Sequence, residues 1–220
     1  MNKNTEAINQ MREQNYEEAA RLFNEVIEEQ PDEPLGYINF GNLLVQLNEN
    51  ERAARFFEKA IELDSKAATA YYGLGNLFFE HNDYGNAQLN FQKAIELGLE
   101  ESDVYFMLGL TLQNQEQFKF SLPYLLRATE LAPNDEEILF QYGLSLAQSD
   151  SLKDAENVFL RVLEMNDEHS DAHYNLGVLS LFKEDADKAL NHFEHALRIQ
   201  PDHLLAANGK KNVEELLKEN

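Results

Sequence analysis

One step of 34 residues runs along the chain and constrains it more than any other feature. Gly41, Gly75, Gly109, Gly143 and Gly177 follow it. So do Ala19, Ala53, Ala87, Ser121, Ala155 and Ala189, and likewise Phe23, Phe57, Phe91, Leu125, Phe159 and Phe193. A fourth register holds Val26, Ala60, Ala94, Ala128, Val162 and Ala196. Four registers sharing one period, with no insertion, mean copies of a single supersecondary unit. No copy can bury its apolar face alone, so neighbours must stack.

Spacing inside the unit is helical. Tyr71, Leu74, Gly75 and Phe78 lie at i, i+3, i+4 and i+7 on a first helix, and Ala87, Phe91, Ala94 and Ile95 form the matching face of a second. Asn82-Asp83 between them supplies turn and N-cap chemistry. Pro31, Pro133 and Pro201 fall after second helices, where proline stops one unit before the next. Ten glycines and five prolines are too few for an all-β chain of many tight turns. Glycine on the first helix and alanine on the second are expected to let the two backbones approach, with phenylalanine filling the gap beside the next unit.

The stretch AYYGLGNLFFEHNDYGNAQLNFQKAIEL, Ala70 to Leu97, resembles the tetratricopeptide repeat, with its bulky-x-x-Leu-Gly-x-x-aromatic helix followed by Ala-x3-Phe-x2-Ala. The resemblance covers essentially the whole chain. It implies an all-α fold: a right-handed superhelical solenoid of antiparallel helix pairs, six repeats plus a C-terminal capping helix. One domain over 1–220 would hold repeats 1–33, 34–67, 68–101, 102–135, 136–169 and 170–203, then the cap 204–218. Departures are local. Ala7 replaces glycine in a polar first helix, and Leu139 and Tyr142 depart from the family preference while staying apolar. Gly98-Leu99-Glu100 replaces the usual proline, which allows a local change of angle there. Pro123 is placed near the start of a second helix, where a missing N–H costs least. Lys211 stands at the glycine register of the closing helix, read as a solubilising cap.

Composition narrows the functions. There is no cysteine, which removes disulfides, thiolate metal sites and thiol nucleophiles. The formal net charge of −22 sets nucleic acid and anionic membrane aside as partners and favours basic or amphipathic segments. The opening MNKNTEAINQ lacks the apolar core of a signal peptide, and no run reaches the ~20 apolar residues of a membrane helix. A cytoplasmic protein is the expectation.

The first helices carry a second apolar stripe, more than pair packing requires. Its leading register is Ile38, Tyr72, Phe106, Phe140 and Tyr174. The next is Ile8, Asn42, Asn76, Leu110, Leu144 and Val178, and the third Met11, Val45, Phe79, Gln113, Ala147 and Leu181. The resemblance implies that these registers line a concave peptide-binding groove. Stacking of these aromatics on one another for stability alone is the competing reading. Asn42 and Asn76 can both donate to and accept from an extended backbone, although asparagine is also common at this register. Relatives that clamp a C-terminal carboxylate use lysine or arginine at the registers of Asn42, Tyr72, Asn76, Phe106 and Leu110; none is basic here. Asp103, Glu137 and Asp171, one register below the aromatics, suit a ligand's lysine or arginine, or they simply offset the dipole of the first turn. The expected partner is thus a protein or peptide, apolar with basic residues.

Chemistry is otherwise missing. His169 with His173, and His192 with His195, have ligand-like spacing. His173, however, occupies a bulky core register, and His192 and His195 fall on a face expected to be solvated, so no metal or cofactor is assigned. Gly209-Lys210-Lys211 lacks the glycine-rich turn of a phosphate loop, and there is no nucleophile-elbow serine. Acid pairs such as Glu17-Glu18 have no pocket to desolvate one partner. The reading is a non-enzymatic scaffold or adaptor, with a homo-oligomerising self-assembly module as the alternative.

Overall fold

The computed structural model describes residues 2–219. Thirteen α-helices and no strand are found among them: α1 Lys3–Arg12, α2 Tyr16–Glu29, α3 Pro34–Gln46, α4 Asn50–Leu63, α5 Ala68–Glu80, α6 Tyr84–Glu96, α7 Ser102–Asn114, α8 Phe118–Leu131, α9 Glu136–Gln148, α10 Leu152–Met165, α11 Ser170–Phe182, α12 Ala186–Ile199 and α13 Leu204–Glu219. They gather into two compact units, one running to Gln115 and the other starting at Glu116. In the first, each helix of α1–α7 packs on the next, and α1, α3, α5 and α7 also touch in series. In the second, α8–α13 pack in the same sequential way, and α11 touches α13. Each unit is an all-α stack of successive helix pairs.

Why the small residues recur is visible around the phenylalanines. A Cβ built on Gly41 would lie 2.7 Å from the Phe57 ring, and one on Gly73 of the next repeat would lie 2.6 Å from the same ring. Phe193 sits in the same way between Gly177 and Gly209. The glycines therefore make room for a phenyl ring rather than for a facing backbone, a correction to the sequence reading. Phe23, Phe57, Phe91, Phe159 and Phe193 are all fully buried, as are the alanines one turn before them. Ser121 takes the alanine register with a hydroxyl, which pairs at 2.6 Å with Ser145 so that neither is left unsatisfied.

Every turn within a repeat uses one device. Gln14, Asn48, Asn82, Glu116, Asp150 and Glu184 all have φ near +60°. At Asn48 the N–H donates to the Val45 carbonyl (2.9 Å) and the next N–H, of Glu49, to that of Leu44 (2.8 Å). That is a Schellman end, built without glycine. Asp83 then caps α6 by accepting from the Asn86 N–H, as the Asn82-Asp83 signal predicts. Second helices other than α6 leave through a C-cap with φ between −127° and −145°. At the Gly98-Leu99-Glu100 junction, Gly98 (φ +93°) ends α6 with a Schellman turn of its own.

Pro123 lies inside α8, past the first turn. Its missing N–H removes an interior bond to the Lys119 carbonyl instead of falling where such a bond would be absent anyway. The closing helix α13 packs on α12 and α11. Ala206 and Val213 are buried beside Gly209 against the last repeat. Lys210 reaches back to Glu194 of α12 (2.9 Å), while Leu204, Leu205, Leu216 and Leu217 are exposed.

Candidate functional site

The leading stripe is less free than its periodicity implies. Ile38 and Phe140 are buried, 6% and 7% exposed, whereas Tyr72, Phe106 and Tyr174 are half-buried. These rings lean on the core phenylalanine of their own repeat: Tyr72 on Phe91 at 5.9 Å, Phe140 on Phe159 at 5.7 Å, Tyr174 on Phe193 at 5.9 Å. Part of the row is therefore structural. In the second register Asn42 is exposed, while Asn76, Leu110, Leu144 and Val178 are half-buried. In the third, Val45 packs against the core, Phe79 meets Tyr84 edge-on at 5.5 Å, and Gln113 is half-buried.

Within the first unit, α5 and α7 bring Tyr72, Asn76 and Asp103 together. Burial pushes the Tyr72 phenol above its ordinary range; a side-chain hydrogen bond with Asn76 opposes this, and the charges of Asp103 and Glu101 reinforce it. The Asn76 Oδ1 is buried and has no hydrogen-bond partner. A buried acceptor left unmade costs about 1–3 kcal/mol, so a donor arriving there recovers more than an ordinary surface bond would.

The acid row divides between the units. Asp103 is exposed and accepts only at long range from the neighbouring Ser102 Oγ, 3.3 Å away. In the second unit Glu137 accepts from Gln141 (2.8 Å), and Asp171 accepts from His203 Nε2 (3.0 Å). The Ala206 N–H donates to His203 Nδ1 (3.2 Å), so His203 is also the N-cap of α13. His169 caps α11 in the same manner, through the Ala172 N–H, and lies 4.5 Å from the Phe140 ring. Imidazole N-caps carry no standard sequence signature, and both were missed.

The histidine pairs read from spacing are rearranged. His169 turns to its cap, while His173 faces His192 and His195 on α12, with ring centroids 5.5 and 5.0 Å away. His192 and His195 are half-buried rather than solvated. Burial first, then the neighbouring His173, pushes His192 down to about 4. Burial also lowers His173. The signal lay in the repeat itself, since Tyr37 and Phe56 pack at 6.1 Å in the equivalent registers. Among the described residues no group of three histidine, aspartate or glutamate side chains is placed to hold a metal, and no helix is long and apolar enough to cross a membrane.

Comparison with known proteins agrees with this architecture. Models described as tetratricopeptide repeat match residues 72–136 and 170–203, and one described as TPR repeat matches 41–82. A solved structure of YrrB, a TPR protein with an unusual peptide-binding site, is 47% identical with a TM-score of 0.85; the match covers 87% of this chain and 99% of that one. PilF of Pseudomonas aeruginosa shares the fold at 17% identity and a TM-score of 0.78, covering 96% of each chain. MamA of Desulfovibrio magneticus RS-1 shares it at 21% and 0.69, covering 76% of this chain and 94% of that one. A search of the curated proteins finds no match. The recurring registers of glycine, alanine and phenylalanine, the helix pairs they build and these likenesses agree: the chain belongs to the tetratricopeptide repeat family.

Proposed function

We propose that the protein is a non-enzymatic interaction scaffold of the cytoplasm that binds an apolar segment carrying lysine or arginine across its first-helix stripes. The observation that carries this reading is Asn76, whose buried Oδ1 lacks a donor beside Tyr72 and the exposed Asp103. The residue is half-buried, and rotation of its amide would bring that oxygen to a backbone N–H of a bound segment. Exposed Asn42 offers a second amide one repeat earlier, and Asp103 offers charge to a basic side chain. The 47% identical YrrB, a TPR protein with a peptide-binding site, supports the same use of the fold.

In the second unit the half-buried Leu144, Tyr174 and Val178 offer apolar contact, while Glu137 and Asp171 already have internal partners. The alternative is self-assembly, for which α13 exposes Leu204, Leu205, Leu216 and Leu217. Sedimentation at several concentrations that gives a monomer throughout would remove it.

Panning a displayed library of random peptides on the protein tests the reading. The enriched sequences are expected to combine apolar residues with lysine or arginine. Synthetic versions are expected to lose at least ~10-fold in affinity for Asn42→Ala/Asn76→Ala, about 1.4 kcal/mol, with little change for Leu160→Ser on α10. Enriched peptides that bind both variants as they bind the parent would refute the assignment.

A further inference from the structure

The pairing of His173 with His192 has a use that packing alone does not explain. The Asp167 carbonyl can only accept, so the His173 Nε2–H donates to it, at 3.3 Å. This fixes the His173 proton on Nε2 and leaves the Nδ1 lone pair aimed at His192 Nδ1, 3.2 Å away. Donation of the distal N–H to a backbone carbonyl is the arrangement that orients metal-bound imidazoles. Two nitrogens bound to one tetrahedral ion at ~2.0–2.1 Å stand about 3.3–3.4 Å apart, close to the spacing observed.

We propose that His173 and His192 form a two-imidazole site for a borderline divalent transition ion such as Zn2+, joining α11 to α12 in the last repeat. Both ligands enter through Nδ1. His192 moves its proton to Nε2, which has no hydrogen-bond partner among the described residues, so binding needs no net proton loss. Water completes the coordination, and His195, edge-on to His173, is one side-chain rotation from serving as a third ligand.

The surroundings allow entry. His173 and His195 line an open cavity of ≈ 410 Å³ together with Leu163, Asp167, Glu168 and Arg198. Its two acids offset the arginine as a cation approaches. Behind His192, Lys188 opposes a cation and Glu156 favours one, and the two are themselves paired at 3.2 Å. Sequence spacing could not show this site, because its ligands come from different helices. α11 also carries Tyr174 and Val178, so the ion would stiffen a helix of the proposed peptide-binding stripe.

The test is calorimetric titration of the full chain with ZnCl2 in a weakly coordinating buffer near neutral pH, with thermal melts alongside. One site of micromolar affinity is expected, together with a rise in Tm at saturation. His192→Ala and His173→Tyr are each expected to weaken binding at least ~10-fold and to abolish the rise. Tyrosine at 173 restores the residue type of Tyr37 and Tyr71 at this register, so that variant keeps its fold. His203→Asn, at the imidazole–carboxylate contact with Asp171, is expected to bind as the parent does. No binding tighter than millimolar, or binding unchanged in His192→Ala and His173→Tyr (an adventitious ion on surface carboxylates), would overturn the proposal.

Discussion

Gly73→Ala sets two well-known effects against each other, and the structure decides between them. An exposed glycine-to-alanine change within a helix stabilises by about 1 kcal/mol. At Gly73 the new methyl would lie 2.6 Å from Phe57 Cζ and 2.8 Å from both neighbouring ring carbons, about 1 Å inside ordinary contact. The ring has little room to retreat, because Phe57 is fully buried between the glycines of α3 and α5, and even a methyl on Gly41 would fall 2.7 Å from it. Either α5 must move off the preceding repeat or the ring must leave its rotamer. Overpacking of this kind costs about 1–3 kcal/mol, and this confinement puts it near the top of that range. Net destabilisation of about 2 kcal/mol is expected. Gly85→Ala is the control, since its methyl would meet nothing nearer than Asp83 Oδ1 at 3.9 Å. It should stabilise by roughly 0.5–1 kcal/mol. Urea unfolding followed by far-UV circular dichroism reads both, with unchanged slopes required before midpoints are compared. Phe57→Leu should partly relieve Gly73→Ala, giving a coupling of about 1 kcal/mol in the double-mutant cycle. Gly73→Ala as stable as the parent would refute the ring-between-glycines account.

Three further outcomes follow from the same geometry. Glu184 holds a left-handed backbone at φ +58°, so Glu184→Gly should raise stability by about 0.5–1 kcal/mol in urea unfolding, with a smaller gain for Asn48→Gly because asparagine tolerates that conformation. Asn76→Leu removes an unsatisfied buried oxygen and should stabilise by up to about 1 kcal/mol while weakening peptide binding, a split that a purely structural asparagine would not produce. Acid should destabilise the last repeat: His192 is held at about 4 against an ordinary 6.5, so the unfolded chain takes up the proton first as pH falls through that window. The stability is complete above about pH 6.5 and lost by about pH 4, with a ceiling near 3 kcal/mol that solvent access to the half-buried ring reduces to roughly 1–2. His173→Tyr/His192→Phe should lose less stability between about pH 7 and pH 5, and an equal loss in that variant would exclude these histidines as the cause.

How far the residues alone could be read varied with the physics involved. The repeat was legible because burying a phenylalanine between two helices demands small residues at fixed offsets, and that demand recurs in every unit. The second stripe was legible as apolar, yet not as exposed. Phe140 and Ile38 are buried although Phe106, Tyr72 and Tyr174 at the same register are only half-buried, since exposure depends on the neighbouring helix and on caps such as His169. One turn was legible through Asn82-Asp83. Its equivalents at Gln14, Glu116 and Glu184 have no turn chemistry and adopt the same conformation because the helix packing imposes it. The histidine arrangement was hidden by its separation along the chain, with His173 and His192 meeting across two helices. The orphaned oxygen of Asn76 is a fact of burial that no register reveals.

The central claim is that the first-helix stripe, and not the outer face of the second helices, receives a peptide. Photocrosslinking addresses it most directly: a selected peptide carrying a photoreactive side chain is bound to the protein, irradiated, and its attachment points are read by mass spectrometry. The account predicts attachment at Asn42, Tyr72, Asn76 and Phe106, on α3, α5 and α7. Attachment concentrated instead at exposed second-helix positions such as Arg55 and Leu89 would contradict it.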